Sequence, residues 1–231
     1  MKTQIPSLPR FASGSSGAAV QAGGRTDSYY DQARPEVAAL VPSRCRRVLE
    51  VGCGSGQFGR LLRDRGHHVT GIELVPEMAE RARPWLDRIV TADIESEGFP
   101  FPSASFDALV FADVLEHLLD PWRVLREAVE VLAEDGVVVA SIPNVQNIDI
   151  LRRLLRGRWD YRERGILDFG HLRFFTLHSI RSLFAQADLR IVHVGHRYRR
   201  GWWRELLCWL SAGRARCLWT RQYLIVARRA G

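Results

Sequence analysis

The chain has 231 residues, of which 46% are hydrophobic and 26% charged, and this length and composition predict one globular α/β domain with a short tail. No apolar run approaches the roughly 18 residues of a membrane span, and the four cysteines form no CxxC pair, which disfavours a zinc knuckle or a disulfide scaffold. The net charge is +7, yet Lys2 is the sole lysine, which excludes P-loop NTPases, protein kinases and Schiff-base enzymes because each needs a lysine within the fold.

The N-terminal part of the chain divides into a tail and the start of a domain. Residues 1–26 are rich in Gly, Ser and Ala and lack hydrophobic periodicity, so we predict a flexible leader there and a single domain over residues 27–231. A short helix is predicted over residues 35–40, because Pro35 suits the first turn of a helix.

Strand and helix signals alternate along the rest of the chain. The predicted strands are 47–51, 68–74, 88–91, 106–112, 136–142, 189–196 and 222–228, and the predicted helices are 57–65, 76–83, 121–133, 176–185 and 202–210. This alternation predicts an α/β fold with βαβ units and a mostly parallel sheet. Residues 144–176, rich in arginine and aromatic side chains, interrupt the alternation and are interpreted as an insertion on the substrate side.

A cluster of glycines separates the first predicted strand from the helix that follows it. Gly52, Gly54 and Gly56 allow the backbone to turn tightly and to approach a ligand, while the first turn of the next helix offers unpaired N–H groups. Glu73 stands at the end of the second strand, where an acid receives the hydroxyls of a ribose. Together these features predict a nucleoside-binding α/β domain.

Two classes of nucleoside-binding enzyme fit this loop. The segment Gly54–Gly59 satisfies the GxGxxG fingerprint of NAD-dependent dehydrogenases. The longer segment Glu50–Gly56 resembles the E/D-x-G-x-G-x-G motif of class I S-adenosylmethionine (SAM) methyltransferases. A carboxylate before the glycines is unfavourable for a pyrophosphate but suits the cationic amino and sulfonium groups of SAM. A short-chain dehydrogenase also needs a Tyr-x-x-x-Lys pair that this chain lacks, so the NAD-dependent oxidoreductase is the remote alternative.

Further segments continue the resemblance at the expected spacing. Ala92-Asp93-Ile94, residues 106–118 and residues 132–144 resemble the segments that follow or form the third, fourth and fifth strands of these methyltransferases. The resemblance implies a Rossmann-like sheet of seven mostly parallel strands with helices on both faces. In this family the last strand is antiparallel and inserted between the fifth and the sixth.

The resemblance also assigns a cofactor, which is SAM, with S-adenosylhomocysteine as its product and without a metal. In this family the acid after the third strand faces the adenine amine, an apolar neighbour packs on the ring, and an aromatic residue before the first helix closes over the cofactor. The residues assigned to the cofactor are Tyr30, Glu50, Gly52, Cys53, Gly54, Gly56, Glu73, Leu74, Asp93, Ile94, Asp113 and Val114.

The acceptor side of a methyltransferase must align the acceptor and, for a hydroxyl, supply a base, for which histidine is the usual residue. Residues 168–176 resemble a D-x-x-H-x-R-F-F-T stretch of a bacterial subgroup linked to saccharide and small-metabolite tailoring. We therefore expect His171 as the catalytic base and His117 as the second candidate, each with a purely structural role as the alternative. Arg173 and Asn144 are expected to bind the substrate, although Arg173 could instead pair with Asp168.

Two arginine-rich segments also carry aromatic residues. Residues 152–164 and 197–216 contain six arginines each, among leucine, tryptophan and tyrosine. Such segments occur as amphipathic helices with solvated arginines, in membrane interfaces and, less often here, in nucleic-acid sites. A membrane surface or a lipid-linked substrate therefore stays open as a partner, and nucleic acid is disfavoured.

The sequence as a whole predicts a SAM-dependent methyltransferase that acts on a small-molecule acceptor, with O-methylation of a metabolite or saccharide favoured. An N-methyltransferase, an rRNA or tRNA methyltransferase, and a SAM-binding regulator without catalysis are the alternatives. We expect a cytoplasmic protein, with peripheral membrane attachment open. The sequence does not indicate an oligomeric state.

Overall fold

The computed structural model describes residues 34–198, 208–213 and 215–231. The predicted leader 1–26 and Tyr30 lie outside the described residues. The predicted helix 202–210 also lies outside them, except for residues 208–210, which are helical. Within the described ranges, no helix combines the length and apolar character needed to cross a bilayer.

One seven-stranded sheet organises the domain, in the order β3-β2-β1-β4-β5-β7-β6. The strands are β1 Arg47–Val51, β2 His68–Glu73, β3 Arg88–Thr91, β4 Phe106–Ala112, β5 Leu132–Pro143, β6 Leu189–Arg197 and β7 Gln222–Arg229. Strands β1 to β5 pair in parallel, and β7 lies antiparallel between β5 and β6. The predicted fold class, including the position of the antiparallel last strand, is confirmed.

Helices cover both faces of this sheet. They are α1 Pro35–Ala38, α2 Gln57–Asp64, α3 Pro76–Ala82, α4 Pro121–Val131, α5 Ile148–Leu154, α6 Leu177–Ala185 and α7 Arg216–Trp219, and a 3₁₀ turn spans Leu115–His117. Strand β4 shows the two buried faces directly, because Leu109 and Phe111 belong to one apolar cluster and Ala108 and Val110 to the other. Successive side chains of a strand point to opposite faces, so both clusters are needed to bury it.

The structure changes two details of the sequence prediction. Strand β5 begins at Leu132 rather than at residue 136, because Leu132 is buried and pairs with Phe106 at the edge of β4. The insertion 144–176 contains the helix α5, which Asn147 caps by accepting a hydrogen bond from Asp149 N at 3.1 Å.

Candidate functional site

A cavity of about 670 Å³ opens where the carboxyl ends of the parallel strands meet. Its wall includes the residues that directly follow β1, β2, β3 and β4, together with residues from the insertion and the start of β7. Ligands of open α/β sheets bind at this edge, because the loops that leave parallel strands converge there.

Most of the predicted site residues lie in this cavity. The lining includes Glu50, Gly52, Cys53, Gly54, Glu73, Leu74, Asp93, Ile94, Asp113, Val114, His117 and His171. Gly56 is not among the lining residues and instead precedes α2 as its N-cap. Asn144 and Arg173 are also absent from the lining. The cavity thus brings the predicted cofactor loop and both candidate histidines together.

The glycine loop requires glycine for its backbone conformation. Gly52, Gly54 and Gly56 have φ angles of +68°, +53° and +84°, a region that side chains disfavour. A Cβ on Gly56 would lie 3.0 Å from the Cα of Ala82, and a Cβ on Gly52 would lie 3.0 Å from a methyl group of Val114. The loop is therefore shaped by both conformation and close packing.

Glu73 ties the end of β2 to the glycine loop. Its Oε2 accepts a hydrogen bond from Gly54 N at 2.8 Å, and its Oε1 accepts one from Val75 N at 3.0 Å. Burial raises the pKa of the Glu73 carboxyl, and the hydrogen bonds from Val75 and Gly54 lower it in part. Each carboxylate oxygen has a second lone pair, so the group that fixes the loop can also accept hydrogen bonds from a diol.

Glu50 is a buried acid whose charge is poorly compensated. Its side chain is 3% exposed, and its Oε2 has no hydrogen-bond partner among the described residues. Burial, followed by the nearby charge of Glu73, raises the pKa of Glu50 well above its usual range. A cationic ligand would favour the ionised form of this group. The buried carboxyl group of Glu50 is therefore suited to a nucleoside that carries a positive charge, as SAM does.

Asp113 links three strands at the rim of the cavity. It has a φ of +58°, and its Oδ1 accepts hydrogen bonds from Ser141 Oγ at 2.9 Å and from the Gln222 side chain. Its Oδ2 forms an ion pair with Arg34, which also donates to Gln222 at 3.0 Å. The described contacts of this carboxylate join the ends of β4, β5 and β7.

The 3₁₀ turn after β4 contains a buried acid that the sequence analysis missed. Glu116 is 1% exposed, and neither carboxylate oxygen has a hydrogen-bond partner among the described residues. Its backbone oxygen accepts hydrogen bonds from Leu172 N at 2.8 Å and Arg173 N at 3.0 Å, which joins the insertion to the end of β4. Burial raises the pKa of the Glu116 carboxyl to about 8. The only signal in the sequence is its position directly before His117.

Both candidate histidines contact this acid or each other. The Nε2 of His171 lies 4.0 Å from Oε1 of Glu116, and the rings of His117 and His171 have centroids 4.7 Å apart. The Nδ1 of His117 lies 2.8 Å from Gly170 O, and that of His171 lies 3.0 Å from Ile166 O. A carbonyl oxygen can only accept, so both Nδ1 atoms carry hydrogen and Nε2 is the basic nitrogen of each neutral ring.

We call Glu116, His117 and His171 the acceptor-side cluster. One ligand atom from each of the three residues lies within 4.8 Å of the others, which is compatible with shared proton transfer or with a shared cation. No other such group of three or more metal-ligating side chains occurs among the described residues.

The two predicted substrate residues make hydrogen bonds within the fold. Asn144 is fully buried, and its amide donates to Cys217 O at 2.7 Å and Thr220 O at 2.9 Å. The guanidinium of Arg173 donates to Leu119 O, with an Nε distance of 3.1 Å, rather than to Asp168. These contacts join the insertion to its neighbours, and the assignment of both residues to the substrate stays a prediction.

Comparisons with known proteins agree with this architecture. A family model described as a methyltransferase domain matches residues 24–194. A 27-O-demethylrifamycin SV methyltransferase of Amycolatopsis mediterranei is 33% identical over 108 residues, which cover 43% of this chain and 40% of the relative. A ubiquinone biosynthesis O-methyltransferase of Xanthomonas campestris pv. campestris is 34% identical over 113 residues, which cover 47% of each protein.

A solved structure supports the fold over nearly the whole chain. A SAM-dependent methyltransferase from Archaeoglobus fulgidus superposes with a TM-score of 0.67 at 16% identity and covers 88% of this chain and 95% of the other. By contrast, the chain spans about half or less of the length of the two curated relatives. The family model matches well over half of the sequence, so this chain belongs to the methyltransferase-domain family, and its fold is that of a class I SAM-dependent methyltransferase.

Proposed function

We propose that this protein transfers a methyl group from SAM to a hydroxyl of a small molecule and releases S-adenosylhomocysteine. The observation that carries the proposal is that one cavity of about 670 Å³ is lined by both the glycine loop and the acceptor-side cluster. The two curated relatives bear names of O-methyltransferases, which supports a hydroxyl acceptor over an amine.

The cofactor would bind along the carboxyl ends of β1 to β4. Glu73 would accept hydrogen bonds from the ribose hydroxyls while it holds Gly54 in place, and Asp93 with Ile94 would contact the adenine. The buried charge of Glu50 would favour the cationic end of the molecule. When bound, SAM supplies a methyl group that is already activated by its sulfonium, so the chain itself has to align the acceptor.

The acceptor hydroxyl must lose its proton as the new O–C bond forms. The acceptor-side cluster lines the same cavity and brings two imidazole rings and the carboxyl group of Glu116 to this step. Because Gly170 O and Ile166 O accept hydrogen bonds from the two Nδ1 atoms, Nε2 is the basic nitrogen of each neutral ring and would be the atom that accepts the proton. An amine acceptor needs no such cluster, since a neutral amine is nucleophilic without a base.

The test combines cofactor binding with turnover. Calorimetry of the purified chain should show binding of SAM and S-adenosylhomocysteine and none of NAD. Methyl-labelled SAM, incubated with a panel of small phenols, saccharides and amines, should label hydroxyl compounds preferentially. Binding of NAD without SAM would contradict the cofactor assignment. Preferential labelling of amines would favour the N-methyltransferase, and binding without turnover would favour the SAM-binding regulator.

A further inference from the structure

The acceptor-side cluster has the composition of a metal site as well as that of a general base. We propose that Glu116, His117 and His171 bind one divalent transition-metal cation in the wall of the cavity. Only the effect of the cation on the acceptor hydroxyl rests on the proposed function. Cation binding itself is independent of turnover.

The spacing of the three side chains suits a shared ion. Their ligand atoms lie within 4.8 Å of one another. Two ligands on one cation, with bonds of about 2.1 Å, are at most about 4.2 Å apart. At the angles of a tetrahedral or octahedral site the ligands are about 3.0–3.4 Å apart, so atoms up to 4.8 Å apart would have to approach one another by about 1.4–1.8 Å to share one cation.

Glu116 provides an independent sign of a missing partner. Both of its carboxylate oxygens are buried and without a hydrogen-bond partner among the described residues, which is uncommon because buried polar groups are nearly always satisfied. The described cationic side chain that acts on it, Arg34, is in an ion pair with Asp113, and the nearby Asp168 adds negative charge. A cation between Glu116 and the imidazoles would compensate this group.

The hydrogen bonds of the two histidines match those of metal-ligating histidines. A ligating imidazole usually donates its other N–H to a carbonyl or carboxylate, which fixes the ring and its tautomer. His117 makes this contact with Gly170 O at 2.8 Å, and His171 makes it with Ile166 O at 3.0 Å. Two imidazoles and one carboxylate favour zinc, iron, cobalt or manganese over magnesium and calcium, which prefer oxygen ligands.

A cation at this position would change how the acceptor is activated. Bound to the cation, the acceptor hydroxyl would have a lowered pKa and would lose its proton to solvent water. Its oxygen would then form a bond to the methyl carbon, while the carbon–sulfur bond breaks and its electron pair stays on sulfur. His117 and His171 would be ligands in this case, and the expectation that the enzyme lacks a metal would be wrong.

The experiment is a cation titration of the full-length chain after treatment with EDTA. Co²⁺ should bind one ion per chain and produce visible absorption bands, and Zn²⁺ should displace it in calorimetry. Glu116→Gln and His117→Asn should each weaken Co²⁺ binding by more than tenfold. His178→Ala and His193→Ala remove exposed histidines and should leave binding unchanged. A retained affinity for S-adenosylhomocysteine shows that a variant is folded.

The outcomes separate this inference from the proposed function. Absence of Co²⁺ and Zn²⁺ binding, or binding that survives both cluster variants, would overturn the metal site even if EDTA-treated protein transfers methyl groups. One bound ion that is lost in both variants would support the site even if no hydroxyl compound is labelled.

Discussion

The two sides of the cavity are built in different ways. On the cofactor side, the key contact joins Gly54 N to Glu73, 19 positions apart, and uses the backbone of a short glycine loop. On the acceptor side, His117 reaches Gly170, 53 positions away, and the backbone oxygen of Glu116 accepts hydrogen bonds from residues 172 and 173 of the insertion. The cofactor side is therefore a local motif, whereas the acceptor side forms only when distant segments pack together. Variants should affect the two sides independently.

The largest expected effect separates the acceptor side from the cofactor side. His171→Ala should lower turnover about 10²–10⁴-fold, the usual range for loss of a group that assists proton removal, while the affinity for SAM stays within a few-fold. Steady-state kinetics with labelled SAM and calorimetry measure the two quantities. His178→Ala is the control, because it removes an exposed histidine of α6. An equal loss of SAM affinity in His171→Ala would mean that the two sides are not separable.

The converse change acts on the cofactor side. Gly54→Val should weaken SAM binding by about 100-fold or more, because a branched side chain at a φ of +53° would strain the loop and occupy the cavity. Gly66→Val is matched to it, since Gly66 has a φ of +87° and a Cβ built on it would have no neighbouring atom within 4 Å. Calorimetry should show normal SAM affinity for the Gly66 variant. Equal SAM affinities in the two variants would show that the glycine loop does not belong to the cofactor site.

A smaller effect concerns the packing behind the cofactor side. A Cβ on Gly59 would lie 2.1 Å from a methyl of Leu86 and 2.5 Å from Glu50 Oε2. We therefore expect Gly59→Ala to lower the free energy of unfolding by about 1–3 kcal/mol, as overpacking of a core usually does. Urea unfolding measures the loss. A neutral substitution would show that Glu50 and Leu86 can move away, and the packing argument for this glycine would fail.

The smallest expected effect concerns Asp107, which lies near the start of β4, at the end of the strands opposite to the cavity. Asp107 accepts hydrogen bonds from Arg46 N and Arg47 N, each at 2.8 Å, and from the Arg47 side chain. Burial opposes ionisation of Asp107, but the bonds from Arg47 and Arg46 outweigh it and lower its pKa. Asp107→Asn should cost about 1 kcal/mol of stability near neutral pH without changing SAM affinity.

The pH dependence of that variant follows from the direction of the pKa shift. A lowered carboxyl pKa stabilises the fold at pH values above the pKa of the unfolded chain, and this stabilisation disappears as the pH falls through the folded pKa. Urea unfolding should thus show the difference between the wild type and Asp107→Asn shrinking in acid. A difference that is constant with pH would show that the charge of Asp107 does not matter.

The same contrast explains what could be predicted from the sequence. The order of the strands, the glycine loop and the place of Glu73 at the end of β2 were predictable because alternation and glycine spacing are local properties of the chain, whereas the start of β5 depends on the pairing of Leu132 with Phe106. Glu116 was missed because a glutamate after a strand usually faces solvent, whereas this one is buried and its backbone oxygen is bonded to the distant insertion.

The contacts of Asn144 and Arg173 could not be predicted for the same reason. The sequence predicts both residues as substrate ligands, with a pair between Arg173 and Asp168 as the alternative for Arg173. Their partners, Thr220 and Leu119, are 76 and 54 positions away. Sequence spacing carries no information about such contacts, whereas the fold determines them directly.

The central claim is that this cavity binds the cofactor beside the acceptor-side cluster. A crystal structure of the chain with S-adenosylhomocysteine tests it most directly. We predict the ribose hydroxyls within hydrogen-bond distance of Glu73, and the sulfur facing the part of the cavity that contains His117 and His171. A ligand bound outside the cavity, or a ribose remote from Glu73, would contradict the account.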